Sequence, residues 1–135
     1  MVKLNKIYTR TGDDGQTVLV NGQRVAKHAK RPIAFGEIDE LNSVIGVTRT
    51  YVNDKEIDMM LARIQNDLFD LGADLATPEM EEDAKCLRIT EKQVKRIETE
   101  IDKLNSGLSD LSSFILPGGS SVSSWLHFAR TVTRR

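Results

Sequence analysis

Two stretches of this chain place hydroxyls, glycines and guanidinium groups close together. One is Thr9-Arg10-Thr11-Gly12-Asp13-Asp14-Gly15-Gln16-Thr17. The other is Leu116-Pro117-Gly118-Gly119-Ser120, followed by Ala129-Arg130-Thr131-Val132-Thr133-Arg134-Arg135. The chemistry such residues suit is the grip on a polyphosphate. Glycines let backbone N–H groups approach an anion closely, and arginines add permanently charged, bidentate donors. Neither stretch is a standard phosphate loop, because the chain has no G-x-x-x-x-G-K-[ST] and no G-x-G-x-x-G after a strand.

Taken singly, each feature also has a plainer reading. Thr11-Gly12-Asp13-Asp14-Gly15 is a double turn on composition alone. It lacks the alternating oxygen ligands and closing glutamate of a calcium loop. Pro117-Gly118-Gly119-Ser120 is either an anion-binding helix start or an ordinary helix entry. Arg130 and Arg134, four residues apart, share a helical face that in most proteins is simply solvated. Asp39, in Gly36-Glu37-Ile38-Asp39-Glu40-Leu41-Asn42, reads the same way, with Asn42 close to the apolar stripe. Phe114 reads by default as a core anchor for the loop before Pro117. His28 and His127 have no metal-ligand spacing, so no metal site is expected. Cys86 lies in the polar stretch 81–85 with no histidine nearby to activate it.

Charge is distributed unevenly. The chain carries 19 Lys+Arg and 20 Asp+Glu, which argues against general nucleic-acid affinity. Residues 1–31 hold seven basic and two acidic residues, and residues 119–135 hold three arginines and no acid. Residues 32–118 hold nine basic and 18 acidic ones. Basic ends on an acidic body suit a small anion better than a long polyanion. The length of 135 residues fits one domain, 1–135, burying roughly two thirds of its unfolded surface. No apolar run approaches the ~20 residues of a membrane span, the start lacks a signal-peptide core, and the single cysteine suits a reducing compartment. A cytoplasmic protein with neither membrane nor nucleic-acid partner is the expectation.

The elements that must carry these residues follow from periodicity. Residues 1–31 read as an irregular basic arm, in which Val18-Leu19-Val20 makes at most one extended piece. From Pro32 the period is helical, with Phe35, Ile38, Leu41, Ile45 and Val52 on one stripe and Asn53-Asp54 ending the run. A second helix carries Ile57, Leu61, Ile64, Leu68, Leu71 and Leu75 at alternating steps of four and three, stopped by Thr77-Pro78. After an acidic loop over 78–89, Thr90 and Gln93 form a capping box for a third helix with Val94, Ile97, Ile101, Leu104 and Leu108. A loop over 109–119 leads to a fourth helix, capped by Ser120 or Ser121, with Val122, Trp125, Leu126, Ala129 and Val132. The expected fold is all-α: an up-and-down helical bundle over 32–135 with an N-terminal arm.

Together these segments resemble the PduO-type ATP:corrinoid adenosyltransferases, also called ATP:cob(I)alamin adenosyltransferases. The matching pieces are Lys6 to Thr17, Arg24-Val25-Ala26-Lys27, Phe35 to Ser43, Ile64 to Ala76, Phe114 to Ser120 and Leu126 to Arg135. They occur in the family's order and span almost the whole chain. The resemblance implies a homotrimer with ATP and corrinoid sites between subunits. It implies that Thr9, Arg10, Thr11, Gly12, Asp13 and Gly15 wrap the triphosphate, with Lys27 as a further phosphate ligand and Arg130 and Arg134 on ATP. It implies that Asp39 pairs with Arg130 across the interface and that Phe114 packs beneath the corrin. The family bundle has five helices, the last following the double arginine. This sequence ends at Arg135, so about four are expected, a C-terminally truncated bundle. Lys30-Arg31-Pro32 stands where the family more often has Asp-Pro-Arg.

The implied reaction transfers the 5′-deoxyadenosyl group of ATP to Co(I) of a reduced cobalamin, releasing triphosphate, usually with Mg²⁺. Arg130, Asp39 and Phe114 are the residues implied in catalysis. Implied partners are ATP, the reduced corrinoid, a flavoprotein reductase and an adenosylcobalamin-dependent enzyme. Two other readings stand beside it: a non-catalytic ATP- or corrinoid-binding bundle acting as carrier or regulator, and a structural helical oligomer. The last explains the stripes but leaves the glycine and arginine pattern unexplained.

Overall fold

The computed structural model describes residues 6–79 and 86–135; the acidic stretch 81–85 and the first five residues lie outside the described residues. Four helices follow a short hairpin: β1 (Gln16–Val18), β2 (Arg24–Ala26), α1 (Lys30–Arg49), α2 (Lys55–Leu75), α3 (Glu91–Asn105) and α4 (Ser121–Arg134).

The helix limits have local causes. α1 starts at Lys30, two residues before the expected Pro32, which instead sits buried in the first turn. An N–H there has no intrahelical acceptor in any case, so proline costs nothing. The helix stops at Arg49, earlier than its apolar period suggested, and Val52 reaches the core from beyond the helix end. Asp54 caps α2, accepting from the amides of Glu56 (2.8 Å) and Ile57 (3.0 Å). Thr90 and Gln93 form the expected capping box on α3, and Ser120 caps α4 by accepting from Ser123 N at 3.2 Å.

The core is the junction of α1, α2 and α4. Leu41, Val44 and Ile45 meet Leu61, Ala129 and Val132, with Ile57, Ile64, Leu68 and Trp125 packed around them. Thr48 is fully buried, and its hydroxyl is satisfied by donating to the Val44 carbonyl at 2.9 Å. α3 is attached differently. Ion pairs Arg63–Glu100, Arg96–Asp67 and Lys103–Glu56 tie it to α2, while Val94, Ile101, Leu104 and Leu108 of its apolar stripe stay exposed. The expected bundle position for α3 is therefore only partly realised within one chain. Among the described residues no helix is long and apolar enough to cross a membrane.

The helical bundle carries an arm that is more regular than its sequence suggested. β1 and β2 pair antiparallel, with Thr17 opposite Val25, so the extended piece at Val18 has a partner strand. Leu19 is buried, and the Val20 amide donates to the Ala76 carbonyl (3.1 Å). Arg31 donates to the Leu75 carbonyl (2.9 Å). The Val20 bond docks the hairpin on the C-terminal end of α2, and the Arg31 bond ties the first turn of α1 to the same end.

Candidate functional site

The docked hairpin holds a tight loop. The Gly15 amide donates to the Gly12 carbonyl at 3.2 Å, and the Lys27 amide donates to the Gly15 carbonyl at 2.9 Å. Gly15 has φ +81°, a left-handed conformation that glycine adopts without strain, while Arg10 holds φ +60°. The Arg10 guanidinium lies over the Tyr8 ring, 5.3 Å from its centroid, and the hydroxyls of Thr9 and Thr11 are 2.9 Å apart. Gly12 has no room for a side chain. A Cβ there would sit 2.8 Å from the Gln16 carbonyl oxygen and 3.1 Å from Lys27 Nζ. Lys27 therefore folds across Gly12. The structure thus gathers Thr9, Arg10, Thr11, Gly12, Asp13, Gly15 and Lys27 in one place. Among the described residues no hydrogen bond uses the amides of Thr11, Gly12 or Asp14, an arrangement that suits an anion.

The remaining expected residues are not gathered there. Asp39 is exposed and lines a groove of about 220 Å³ between α1 and α2, with Phe35, Asn42, Phe69 and Gly72. Arg130 lines a separate groove of about 380 Å³ on α4, with Ser120, Ser123 and His127. Among the ion pairs of the described residues none joins Asp39 to Arg130. Arg134 is exposed, and Arg135 pairs with Glu40. Phe114 is 106% exposed, so the reading of it as a core anchor does not hold for this chain. Among the described residues no group of three or more His, Cys, Asp or Glu side chains is arranged to hold a metal ion.

Sequence reasoning passed over two features. Arg24 braces the glycine loop from behind, a role that neither its basic segment nor its place in the Arg24-Val25-Ala26-Lys27 match indicated. Across the α1–α2 seam, Asn42 Nδ2 donates to the Gln65 carbonyl (3.2 Å) and Gln65 Nε2 donates to the Asn42 carbonyl (3.0 Å). Arg49 Nη1 donates to Gln65 Oε1 (2.8 Å), and Arg49 Nε donates to Asp58 Oδ1 (2.7 Å). The Arg49 hydrogen bond holds the Asp58 carboxyl below the usual carboxylate range and raises Arg49 in turn. This ladder locks the register of α1 on α2, and with it the position of Asp39. Its outer end borders a cavity of about 620 Å³, in whose lining Arg49 and Asp58 pair with each other.

The family model for cobalamin adenosyltransferase matches residues 7–135. The corrinoid adenosyltransferase of Mycobacterium leprae is 48% identical over 99% of this chain and 73% of its own length. That of Bacillus subtilis is 45% identical over 96% of this chain and 67% of its own. A variant PduO-type ATP:corrinoid adenosyltransferase from Lactobacillus reuteri, solved with cobalamin and ATP, is similar with a TM-score of 0.88. The two are 40% identical, covering 96% of this chain and 72% of that one. With helices, hairpin and glycine arm matched over nearly its whole length, the chain belongs to the cobalamin adenosyltransferase family.

Proposed function

We propose that this chain transfers the 5′-deoxyadenosyl group of ATP to the Co(I) of a reduced corrinoid, releasing triphosphate. The observation that carries the reading is its likeness, over 96% of the chain, to an adenosyltransferase solved with cobalamin and ATP together. In the reaction a Co–C5′ bond forms and the C5′–O bond breaks, its electron pair leaving on the triphosphate. Co(I) is itself the nucleophile and no proton moves, so neither a side-chain nucleophile nor a general base is required. The protein's task is to align C5′ with cobalt and to stabilise charge on the leaving group.

The arm suits the second task. The open amides of Thr11, Gly12 and Asp14 supply preorganised dipoles, and Arg10 and Lys27 supply charge beside them. Arg130 and Arg134 extend that field along α4. The described residues offer a Mg²⁺ ion no cage of their own, but Asp13 is an exposed carboxylate at the loop, which fits an ion arriving on ATP. Such an ion would neutralise triphosphate charge. Phe114, an apolar ring presented to solvent, suits the lower face of a corrin, where it would displace the axial ligand and exclude water. Loss of that ligand makes Co(II) easier to reduce, which is the step a flavoprotein reductase would drive.

Asp39 and Arg130 occupy different grooves of one chain and meet only if one copy's α4 enters another's α1–α2 groove. A homotrimer accounts for that, and for the exposed stripe of α3. Arg130→Ala should lower both activity and assembly, because an unpaired carboxylate buried between copies costs ~3–5 kcal/mol. Exchanging the charges of Asp39 and Arg130 should restore assembly better than activity. Unchanged size in light scattering and unchanged turnover of Arg130→Ala would remove the interface assignment. The function itself is tested by incubating the chain with ATP, Mg²⁺ and chemically reduced cobalamin. Adenosylcobalamin absorbance and stoichiometric triphosphate are expected. Binding of both substrates without product would make the chain a carrier.

A further inference from the structure

Arg24 stands behind the glycine loop on β2, opposite Val18 in the hairpin register. Its Nε donates to Gln16 Oε1 at 3.0 Å, and its Nη2 donates to Asp14 Oδ2 at 3.0 Å and to the Thr11 carbonyl at 3.4 Å. These three acceptors bracket the Gly12-to-Gly15 turn on both sides. Asp14 closes the bracket, since its Oδ1 accepts from the Gln16 amide at 3.1 Å. The pair Arg24–Asp14 is charge-neutral and both partners are about half exposed, so its value lies in geometry more than in energy. Arg10 and Lys27, by contrast, take part in no ion pair among the described residues, and their charge is available to a ligand.

We infer that Arg24 is a positioning residue for ATP. It holds the amides of Thr11, Gly12 and Asp14 in the curvature that a triphosphate needs, acting through Asp14, Gln16 and the Thr11 carbonyl without touching phosphate. This rests on the reading of the arm as the ATP site. A division of labour follows: Arg24 sets shape, while Lys27 and Arg10 set charge. One lysine ammonium cannot reach the three acceptors as a planar guanidinium does, so lysine is a poor substitute.

The test is ATP affinity by calorimetry at a series of salt concentrations, with melting temperature and kcat at saturating ATP measured alongside. Arg24→Ala should weaken ATP about tenfold, the weight of one charge-assisted hydrogen bond. Its melting temperature should stay close to wild type, and with Asp14→Asn added, so that the pair stays charge-neutral, the salt slope should too. Lys27→Ala should instead flatten the slope, because it removes a screened charge facing phosphate. Arg24→Lys should resemble Arg24→Ala, and Arg24→Ala added to Asp14→Asn should cost little more than Asp14→Asn alone. A flattened salt slope in the charge-neutral double variant would make Arg24 a direct phosphate ligand and overturn the inference. So would a parallel fall of melting temperature and every kinetic constant, or an unchanged ATP affinity. Failure of the wild-type chain to bind ATP at all would refute the arm assignment and this inference with it.

Discussion

The arm at residues 6–27 and the segment at 106–119 both carry residues proposed above as ligand contacts, yet they are built in opposite ways. The arm is assembled from within the chain. Leu19 is buried, the hairpin docks on α2, Arg24 braces the turn and Lys27 crosses Gly12. The second segment has almost no such support. Among the described residues, 109–117 take part in no hydrogen bond, and Leu111, Phe114, Ile115 and Leu116 are exposed. A polyphosphate is met by dipoles and charges, which must be preoriented to be of use, so local scaffolding is needed. An apolar ligand is met by apolar area, which needs no fixed direction and is completed by whatever covers it.

The largest effect should come from disturbing the preformed region. In Gly12→Ala the new methyl would meet the Gln16 carbonyl oxygen at 2.8 Å, a backbone atom that cannot rotate away, and would push Lys27 aside. A misplacement of this order costs roughly 100-fold in kcat/KM. Steady-state kinetics should show the loss chiefly on the ATP side, with the corrinoid KM near wild type. An alanine enzyme with unaltered ATP kinetics would mean that the loop is soft, and the contrast between the two regions would collapse.

A smaller and more selective effect is expected at Phe114. Because the ring is fully exposed, Phe114→Ala should change stability by no more than about 0.5 kcal/mol and leave ATP affinity intact. Adenosylation starting from Co(II) cobalamin with a reductase should fall much further than adenosylation of pre-reduced Co(I). Equal losses in the two assays would refute the ligand-displacement role. A drop in melting temperature would show that the segment is packed in the assembled protein.

How far the sequence foretold this arrangement depends on the kind of force involved. The α2 stripe from Ile57 to Leu75 and the Thr90–Gln93 capping box were readable, because both are local patterns with a fixed period or spacing. The hairpin was missed because β2 is only three residues long, although Asn21-Gly22 between two extended triplets was an available turn signal. α3 was placed in the bundle on its stripe, but periodicity says that a face needs covering and is silent on what covers it. Within one chain, charges at Arg63, Arg96 and Lys103 decide where α3 lies. The motif residues were identified together through their resemblance to a family. The structure then separates the arm residues, which it gathers, from Asp39, Arg130 and Phe114, which it does not.

The loop entering α3 is an intermediate case, anchored by one carboxylate, and it offers the smallest test. Asp74 accepts from the Ile89 amide (2.8 Å) and from Arg88 Nη1 (2.6 Å). The backbone hydrogen bond from Ile89 and, after it, the Arg88 guanidinium hold its carboxyl below the ordinary value of 3.8. A group lowered on folding stabilises the native state fully above its unfolded value, and that contribution fades as pH falls through the folded one. Asp74→Asn should therefore cost about 1 kcal/mol at neutral pH, a figure kept small because the site is partly solvated. The gap between wild type and variant in urea midpoint should narrow below about pH 4. Asp58, held low by Arg49, titrates in the same window but is common to both proteins, so the difference between the two curves isolates Asp74. A gap independent of pH would mean that the Asp74 charge contributes nothing, and that backbone hydrogen bonding alone holds this loop as hydrophobic docking and hydrogen bonds hold the arm.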